Sequence, residues 1–551
     1  MSLFDWLTDP PDARGLRVLD RRTLEWHFAS YRTLAALTRR AAARLRDRGV
    51  GPGDVVIVVR SASHEFLADF FGALLLGATP SPVAPPVTFR SRDAYLAHLR
   101  RLIRLVDARA VATSEEDRAV IAAAVPPGCA VVTAIPEDIE PVAGPPVPPE
   151  YGLLQWSSGS TGAPRGVRIP FGALQANVTA LYEWLRIDDS DGYASWLPLH
   201  HDMGLIGVFL LPVEGRSDLW LMRPEEFIRS PARWLRCFAE GATMTASPTF
   251  GLSQVLARTT PAQLDGLDLS RWKGVIVGAE RIDATVVRRF CDLLAPHGVR
   301  RTVVIPAYGL AEATLAVTGA PVGAPLRTVD VDPSGLRPGH PVTYLPGDPA
   351  AASMVGCGTP LTGVRVRIVG PDGRPVGDDT LGEISVSGVS LAEARIGDET
   401  GVEPVGDTLM TGDAGFRHDG WLYVVGRLGD GVKRDGRWFF AEDAERVATR
   451  ASPRPRQTVA LVGDAHGRAT VAVLVEGRLT GGVEELGRAV ARHCAGLRVQ
   501  VFAVPAGTIQ RTTSGKPKRR AMWDRLLTGV LADALRWDST VDVSGTAIVR
   551  G

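Results

Sequence analysis

Between Tyr31 and Gly77 the sequence passes from an amphipathic helix to a strand apolar on both faces and then to a second helix. In YRTLAALTRRAAARLRDRG, Leu34, Leu37, Ala41 and Leu45 recur at helical spacing, and Gly49 is placed to stop the helix. Val55 to Val59 (VVIVV) lacks polar alternation and reads as a strand buried on both faces. HEFLADFFGALLLG supplies the second helix, and a short apolar segment ends at Pro85 and Pro86. Such alternation predicts a layered α/β domain with a largely parallel sheet, and segments through Ile276 and Val304 continue it. With 551 residues the chain has room for roughly three structural units, and no repeat of about 20 to 50 residues is found.

The 62 basic and 61 acidic residues leave a formal charge of +1, so no global field recommends nucleic acid or an anionic membrane as a partner. Cys129, Cys237, Cys291, Cys357 and Cys494 are scattered, with no CxxC pair and no spacing suited to zinc, which fits a reduced cytoplasm. MSLFDWLTDPP lacks the pattern of a signal peptide, and no apolar run reaches about 18 residues, so neither secretion nor a membrane span is expected. Only four basic residues are lysine (Lys273, Lys433, Lys516, Lys518); the Arg, Ala, Val and Gly bias is that of a GC-rich bacterial genome.

Residues 89–109 read as an amphipathic helix with Leu96, Leu99, Ile103 and Val106 inward and Arg92, Arg100, Arg101 and Arg104 outward. That basic face is either simply solvated or a docking surface for an acidic carrier protein. From Pro321 to Met354 the chain is rich in Pro and Gly and reads as a loop-heavy surface insertion. VRVRIVGPDGRPVG and LGEISVSG then read as β-hairpin material of a small β subdomain. Strands at TVALVG, ATVAVLVEG and VQVFAVP, a helix near Glu484 to Cys494 and a last helix after Arg519 form a compact α+β segment. The domain boundary is placed at Leu428 to Asp430, giving units of 1–426 and 427–551.

The chemistry is concentrated in short motifs. Ser157, Ser158, Gly159, Ser160, Thr161, Gly162, Ala163, Pro164, Arg165 and Gly166 follow the apolar YGLLQW. Three glycines permit close backbone approach and four hydroxyls add donors, so this loop can wrap a polyphosphate, with Arg165 adding fixed charge. It is not a P-loop, which requires GxxxxGK followed by Ser or Thr. Tyr308 to Glu312 (YGLAE) offers an aromatic face, a glycine and a hard oxygen donor, or else two core residues and a helix cap. His200, His201 and Asp202 are metal ligands, a catalytic pair or structural residues. Asp413 in MTGDAGF follows a strand and precedes a turn, where an exposed carboxylate can accept from two ribose hydroxyls or simply serve the turn. In IQRTTSGKPKRR, Lys516 can reach a carboxylate and a phosphate from a loop, whereas Lys518, Arg519 and Arg520 read as solvated.

Taken together, these motifs resemble those of adenylate-forming enzymes: acyl-CoA synthetases, peptide-synthetase adenylation domains and luciferases. Within them the likeness is nearest to fatty acyl-AMP ligases, through WLPLHHDMGLIG (Trp196 to Gly207), Gly278-Ala279-Glu280, PAYGLAEATLAV (Pro306 to Val317) and the insertion that follows. The resemblance implies a large N-terminal α/β domain with a β subdomain, closed by a small mobile C-terminal domain. It implies ATP-dependent activation of a fatty or related carboxylic acid to an acyl-adenylate, with release of pyrophosphate and transfer to an acyl carrier protein. ATP and Mg²⁺ are the implied cofactors. Lys516, Glu312 and His201 are the implied catalytic residues, with Glu312 and Thr161 on the metal. ATP and AMP contacts fall on Ser157, Ser158, Gly159, Ser160, Thr161, Gly162, Arg165, Gly278, Ala279, Glu280, Ala307, Tyr308, Gly309, Leu310, Ala311, Asp413 and Arg427. His201, Ser247 and Phe250 fall on the acyl side, and the insertion is implied to restrain the C-terminal domain. An acyl-CoA synthetase, or a non-catalytic nucleotide-binding relic, are the alternatives.

The junction departs from the family pattern. GRLGDGVKRDGRWFFAEDAER places Gly429 at the hinge where Lys or Asp is usual, and Trp438 where Asn is usual. The expectation is therefore that transfer is affected more than adenylation.

Overall fold

The computed structural model describes residues 2–89, 91–158, 164–349, 351–398, 400–434, 437–451, 458–477, 482–511 and 517–540. The alternation near the start of the chain folds as its pattern dictates. Helix Tyr31–Arg46 begins at Ser30, whose side chain accepts the Thr33 N–H. It ends just before Gly49, whose φ of 78° turns the chain toward strand Val55–Val59. That strand is central in a parallel sheet with Thr79–Pro82, Ala110–Thr113 and Ala130–Val132.

A nine-stranded sheet forms the second layer. Gly15–Leu19, Leu219–Leu221, Tyr193–Ser195, Met244–Ser247, Gly274–Val277 and Val304–Gly309 run parallel through it. Antiparallel Trp26–Ser30 closes one edge, and Ala316–Gly319 with Thr359–Pro360 the other. Val364–Val369, Gly382–Gly388, Leu409–His418 and Trp421–Arg427 form an antiparallel sheet, the expected β subdomain. One continuous apolar core joins these layers.

Beyond the single turn Leu428–Asp430 the packing changes hands. A sheet of Thr458–Ala465, Arg468–Glu476, Arg498–Val504 and Leu535–Asp538 carries a core on each face. Val471, Val473 and Val475 face helices Ala441–Ala451 and Val483–His493, whereas Ala472 and Leu474 face helix Arg519–Leu527. A strand covered on both sides is apolar on both sides, hence the run TVAVLV.

Two expectations are corrected in part. Segment 321–354 is loop-heavy, as expected, but it is anchored: Thr328–Val331 pairs with Ala352–Val355, and Val331, Leu336, Val342 and Ala352 are buried. Its apolar side chains are spaced irregularly among Pro and Gly, so no period announces them. The basic helix spans Arg92–Leu105, with Val106 at its C-cap. Arg101 leaves the solvated face to pair with Asp398. Among the described residues no helix is long and apolar enough to cross a membrane, and all five cysteines are unpaired.

Candidate active site

A cavity of about 2360 Å³ opens where the two-layered body meets the C-terminal segment. Its floor is set by topology: the parallel strands Met244–Ser247, Gly274–Val277 and Val304–Gly309 all end there. Crevices at the carboxyl ends of such strands are where open α/β sheets bind ligands.

Tyr308, Asp413 and Arg427 meet on one wall. The Tyr308 hydroxyl donates to Asp413 Oδ2 at 2.7 Å, and Arg427 Nε donates to Asp413 Oδ1 at 3.2 Å. Burial, and then the Asp413 charge, push the Tyr308 hydroxyl well above its ordinary pKa, so it stays a neutral donor. Asp413 and Arg427 are cross-strand partners, which is why fourteen residues of sequence separation become a contact. The expected exposed turn position of Asp413 is wrong. It lies within strand Leu409–His418, where Gly412 at φ 74° and a nearby register shift kink the strand.

Gly278, Ala279 and Glu280 continue from the end of Gly274–Val277. Ala279 holds φ at 67°, an uncommon conformation for a residue with a Cβ. Glu280 Oε1 accepts the Phe250 N–H at 2.8 Å, tying that segment to helix Thr249–Arg258. Ala307, Tyr308, Gly309, Leu310 and Ala311 line the next stretch of wall. Gly309 is obligatory, because a Cβ there would lie 1.9 Å from the Leu315 carbonyl oxygen.

Glu312 follows on a short 3₁₀ turn, and Arg395 Nε donates to its Oε1 at 3.1 Å. Arg165 Nη1 lies 3.9 Å from Glu403 Oε2. Strands Tyr151–Ser158 and Pro164–Pro170 pair up to Ser158 and Pro164. Residues Gly159, Ser160, Thr161, Gly162 and Ala163 lie outside the described residues, as does Lys516. Among the described residues no three His, Cys, Asp or Glu gather as a metal cluster. Glu312 fits a hard cation that takes one or two protein oxygens and completes its shell with water and phosphate, as magnesium does.

His201 Nδ1 lies 2.7 Å from Asp202 Oδ1, and the Met203 N–H between them donates to both, at 3.3 Å to Nδ1 and 2.7 Å to Oδ1. His201 and Asp202 stand at the head of a wide π-type helix, Met203–Leu210. Both histidines and Phe250 line the cavity, whereas Ser247 is fully buried and donates to the Pro248 carbonyl.

At the junction, Gly429 has open space where a side chain would extend. Trp438 stacks with Phe440 and packs against the large core. Arg519 is not solvated as expected: it pairs with Asp430, Glu442 and Glu445 at 3.1, 3.2 and 2.9 Å. Three carboxylates surrounding one guanidinium are invisible in a terminal basic run. Arg395 and Arg281 are likewise unannounced, since each is one arginine among many. The local signal at Arg395 was a charged residue within the otherwise apolar alternation of a strand.

Residues 7–394 match the family described as AMP-binding enzyme. The chain is 30% identical over 562 residues to the long-chain-fatty-acid–AMP ligase FadD26 of Mycobacterium tuberculosis, covering 94% of each. It is 31% identical over 511 residues to a Caulobacter vibrioides protein whose name provisionally places it among acyl-CoA synthetases, covering 89% of each. A structure from a study of fatty acyl-adenylate ligases of E. coli and L. pneumophila superposes with a TM-score of 0.87 at 29% identity, covering 96% of this chain and 98% of that one. An L. pneumophila fatty acyl-adenylate ligase in complex with acyl adenylate and pyrophosphate matches with a TM-score of 0.71 at 25% identity, covering 96% of each.

Proposed function

The chain belongs to the AMP-binding enzymes, and on that premise we propose that it joins a fatty or related carboxylic acid to ATP, giving an acyl-adenylate and pyrophosphate. The observation that carries this reading is the convergence of Tyr308, Asp413, Arg427, Glu312 and the Gly278–Glu280 segment on one cavity at the strand ends.

The adenine lies against Tyr308 and the backbone of Gly278 to Glu280, and Asp413 accepts the ribose hydroxyls. The Ser157–Arg165 segment holds the phosphates with N–H and O–H donors. The acid approaches past His201, with its chain toward Phe250. A carboxylate oxygen attacks the α-phosphorus, a new P–O bond forms, and the bond to the bridging oxygen breaks, that electron pair leaving on pyrophosphate. Lys516 neutralises charge that builds between carboxylate and phosphate. A magnesium ion held by Glu312 and Thr161 would screen the phosphate charge. Positioning and electrostatics supply most of the rate, because no protein group needs to become covalent.

Residues 1–426 and 427–551 act as two bodies, the smaller closing over the cavity from a hinge at Gly429. The two cores from Ala441 onward, distinct from the large one that also takes in Phe440, support a division near that junction. The acyl group then passes to the phosphopantetheine thiol of an acyl carrier protein, as part of lipid or natural-product assembly in a bacterial cytoplasm. The unpaired cysteines suit that reducing compartment. The name of the Caulobacter relative favours a second reading, transfer to CoA.

The test is ATP–pyrophosphate exchange over a panel of carboxylic acids, followed by CoA or carrier protein added to the preformed adenylate. Acid-dependent exchange and acyl transfer to the carrier are expected. A folded enzyme that gives no exchange with any acid overturns the reading, and free acyl-CoA as the sole product moves it to the CoA ligases.

A further inference from the structure

Arg395 belongs to none of the motifs above. It stands on Ala394–Gly397, a strand paired on one side with Pro164–Pro170 and on the other with Gly401–Pro404. Residues directly opposite in antiparallel strands project to the same face. Arg395 therefore shares its face with Val167 and Glu403, its register partners. Arg165 is two residues from Val167 and on that face too; the Cβ position of Gly397 lies 3.9 Å from Arg165 Cγ. Two guanidiniums thus stand on one face of this sheet, each beside a glutamate: Arg395 with Glu312, Arg165 with Glu403.

The Arg165–Glu403 pair is long, at 3.9 Å, and its glutamate side chain is 41% exposed, so it holds weakly, whereas Arg395–Glu312 is a closer pair at 3.1 Å. Among the described residues the one hydrogen bond of Arg395 uses Nε, so the other N–H groups of its fork are uncommitted. A planar fork with spare donors, lining the cavity on the same face as Arg165, matches a polyphosphate better than it matches one carboxylate oxygen.

We propose that Arg395 is a binding group for the β- and γ-phosphates of ATP and for the pyrophosphate they become, and that its bond to Glu312 is a resting partnership given up when polyphosphate enters. This rests on the adenylation reading and deepens it. The exchange of partners frees the Glu312 carboxylate as the phosphates arrive, so one side chain serves both the empty and the loaded site. Arg165 contributes charge from the same face, and Glu403 competes with the ligand for Arg165.

Titration calorimetry of the full chain with inorganic pyrophosphate, and separately with AMP, tests the proposal beside pyrophosphate-exchange kinetics. Arg395→Ala is expected to weaken pyrophosphate binding and raise the KM for ATP by about 10- to 100-fold, the usual consequence of losing hydrogen bonds to a charged group. AMP affinity should stay within about twofold, because AMP has no β- or γ-phosphate. Arg395→Lys should recover part of the loss, and Glu403→Gln should tighten pyrophosphate binding. Arg395→Gln replaces Arg395→Ala if the latter does not fold. Pyrophosphate affinity within about twofold of the parent in the variant, with exchange intact in the parent, overturns this inference alone. No exchange and no AMP binding in the parent overturns the adenylation reading and this inference with it.

Discussion

Arg281 Nη1 donates to Asp443 Oδ1 at 2.6 Å, joining the residue after Glu280 to the first helix of the C-terminal segment. Asp443 is only 4% exposed. Burial alone would raise its pKa, but Arg281 and Arg446 outweigh that and hold the carboxyl below its usual range. Arg281 Nη2 also lies 2.9 Å from Met354 Sδ, at the end of the 321–354 insertion. Three parts of the molecule therefore share one guanidinium.

Removing it should free the smaller body. Arg281→Ala leaves the buried Asp443 carboxylate with Arg446 alone, at 3.5 Å, so the cost should fall below the about 3 to 5 kcal/mol of a fully orphaned buried charge. Faster proteolysis near residues 428–430 and a larger radius of gyration are expected. Asp443 is depressed, so the contact contributes fully above the ordinary carboxylate range and is lost as pH falls through its folded value. The same loosening should thus appear in the parent under acid conditions. Unchanged cleavage in the variant at neutral pH would remove Arg281 as a tether.

Lys516→Ala should reduce adenylate formation about 10²- to 10³-fold, the scale of losing one group that stabilises developing charge. ATP affinity should be nearly unaffected. Pre-steady-state formation of acyl-adenylate measures the first, and nucleotide titration the second.

Asp413→Ala removes the acceptor shared by Tyr308 and Arg427. The expected effect is a loss of AMP affinity of about 1.5 to 3 kcal/mol, with the KM for the acid little changed. A shift confined to the acid would place the nucleotide elsewhere in the cavity.

Glu214 tests a site remote from the chemistry. Burial raises its carboxyl to about 7, against a lowering by the hydrogen bond from Gln175. A raised acid favours the folded state only while protonated. Stability should therefore decline from the ordinary glutamate range up to about pH 7, by about 3 kcal/mol in all. Glu214→Gln should flatten that slope and melt higher than the parent at pH 8. Parallel melting curves for the two proteins across pH 5 to 8 would show the glutamate ionises normally.

Gly429→Lys is accommodated without clash, since the space beyond Gly429 is open. It should speed transfer from the preformed adenylate and leave pyrophosphate exchange roughly alone. Trp438→Asn is a poorer probe, because the ring stacks with Phe440 and its loss should lower stability. Slower transfer in Gly429→Lys would mark the native junction as adapted to its own acceptor.

Regular elements were legible wherever one period of apolar residues governed the packing. Val55–Val59 and helix Tyr31–Arg46 are of this kind. The insertion was not, because Val331 and Val342 are fixed by tertiary neighbours. Motif residues such as Tyr308, Asp413 and Arg427 were readable, but their mutual contact required strand register. Arg395, Arg281 and Arg519 stayed hidden because a guanidinium declares its partner only in three dimensions.

The clamps at either end of the junction limit how the molecule can swivel. Arg427 is held upstream by Asp413 through both backbone register and side chain. Asp430 is held downstream by Arg519, itself knotted into Glu442 and Glu445. Between those anchors lie Leu428 and Gly429 alone. Any large reorientation must be absorbed by the φ and ψ of these two residues, so the pivot is a universal joint rather than a tether. Turning the joint therefore carries helix Arg519–Leu527 with it, and with that helix the part of the cavity wall that Arg519, Arg520 and Trp523 supply, as a crank moves its piston.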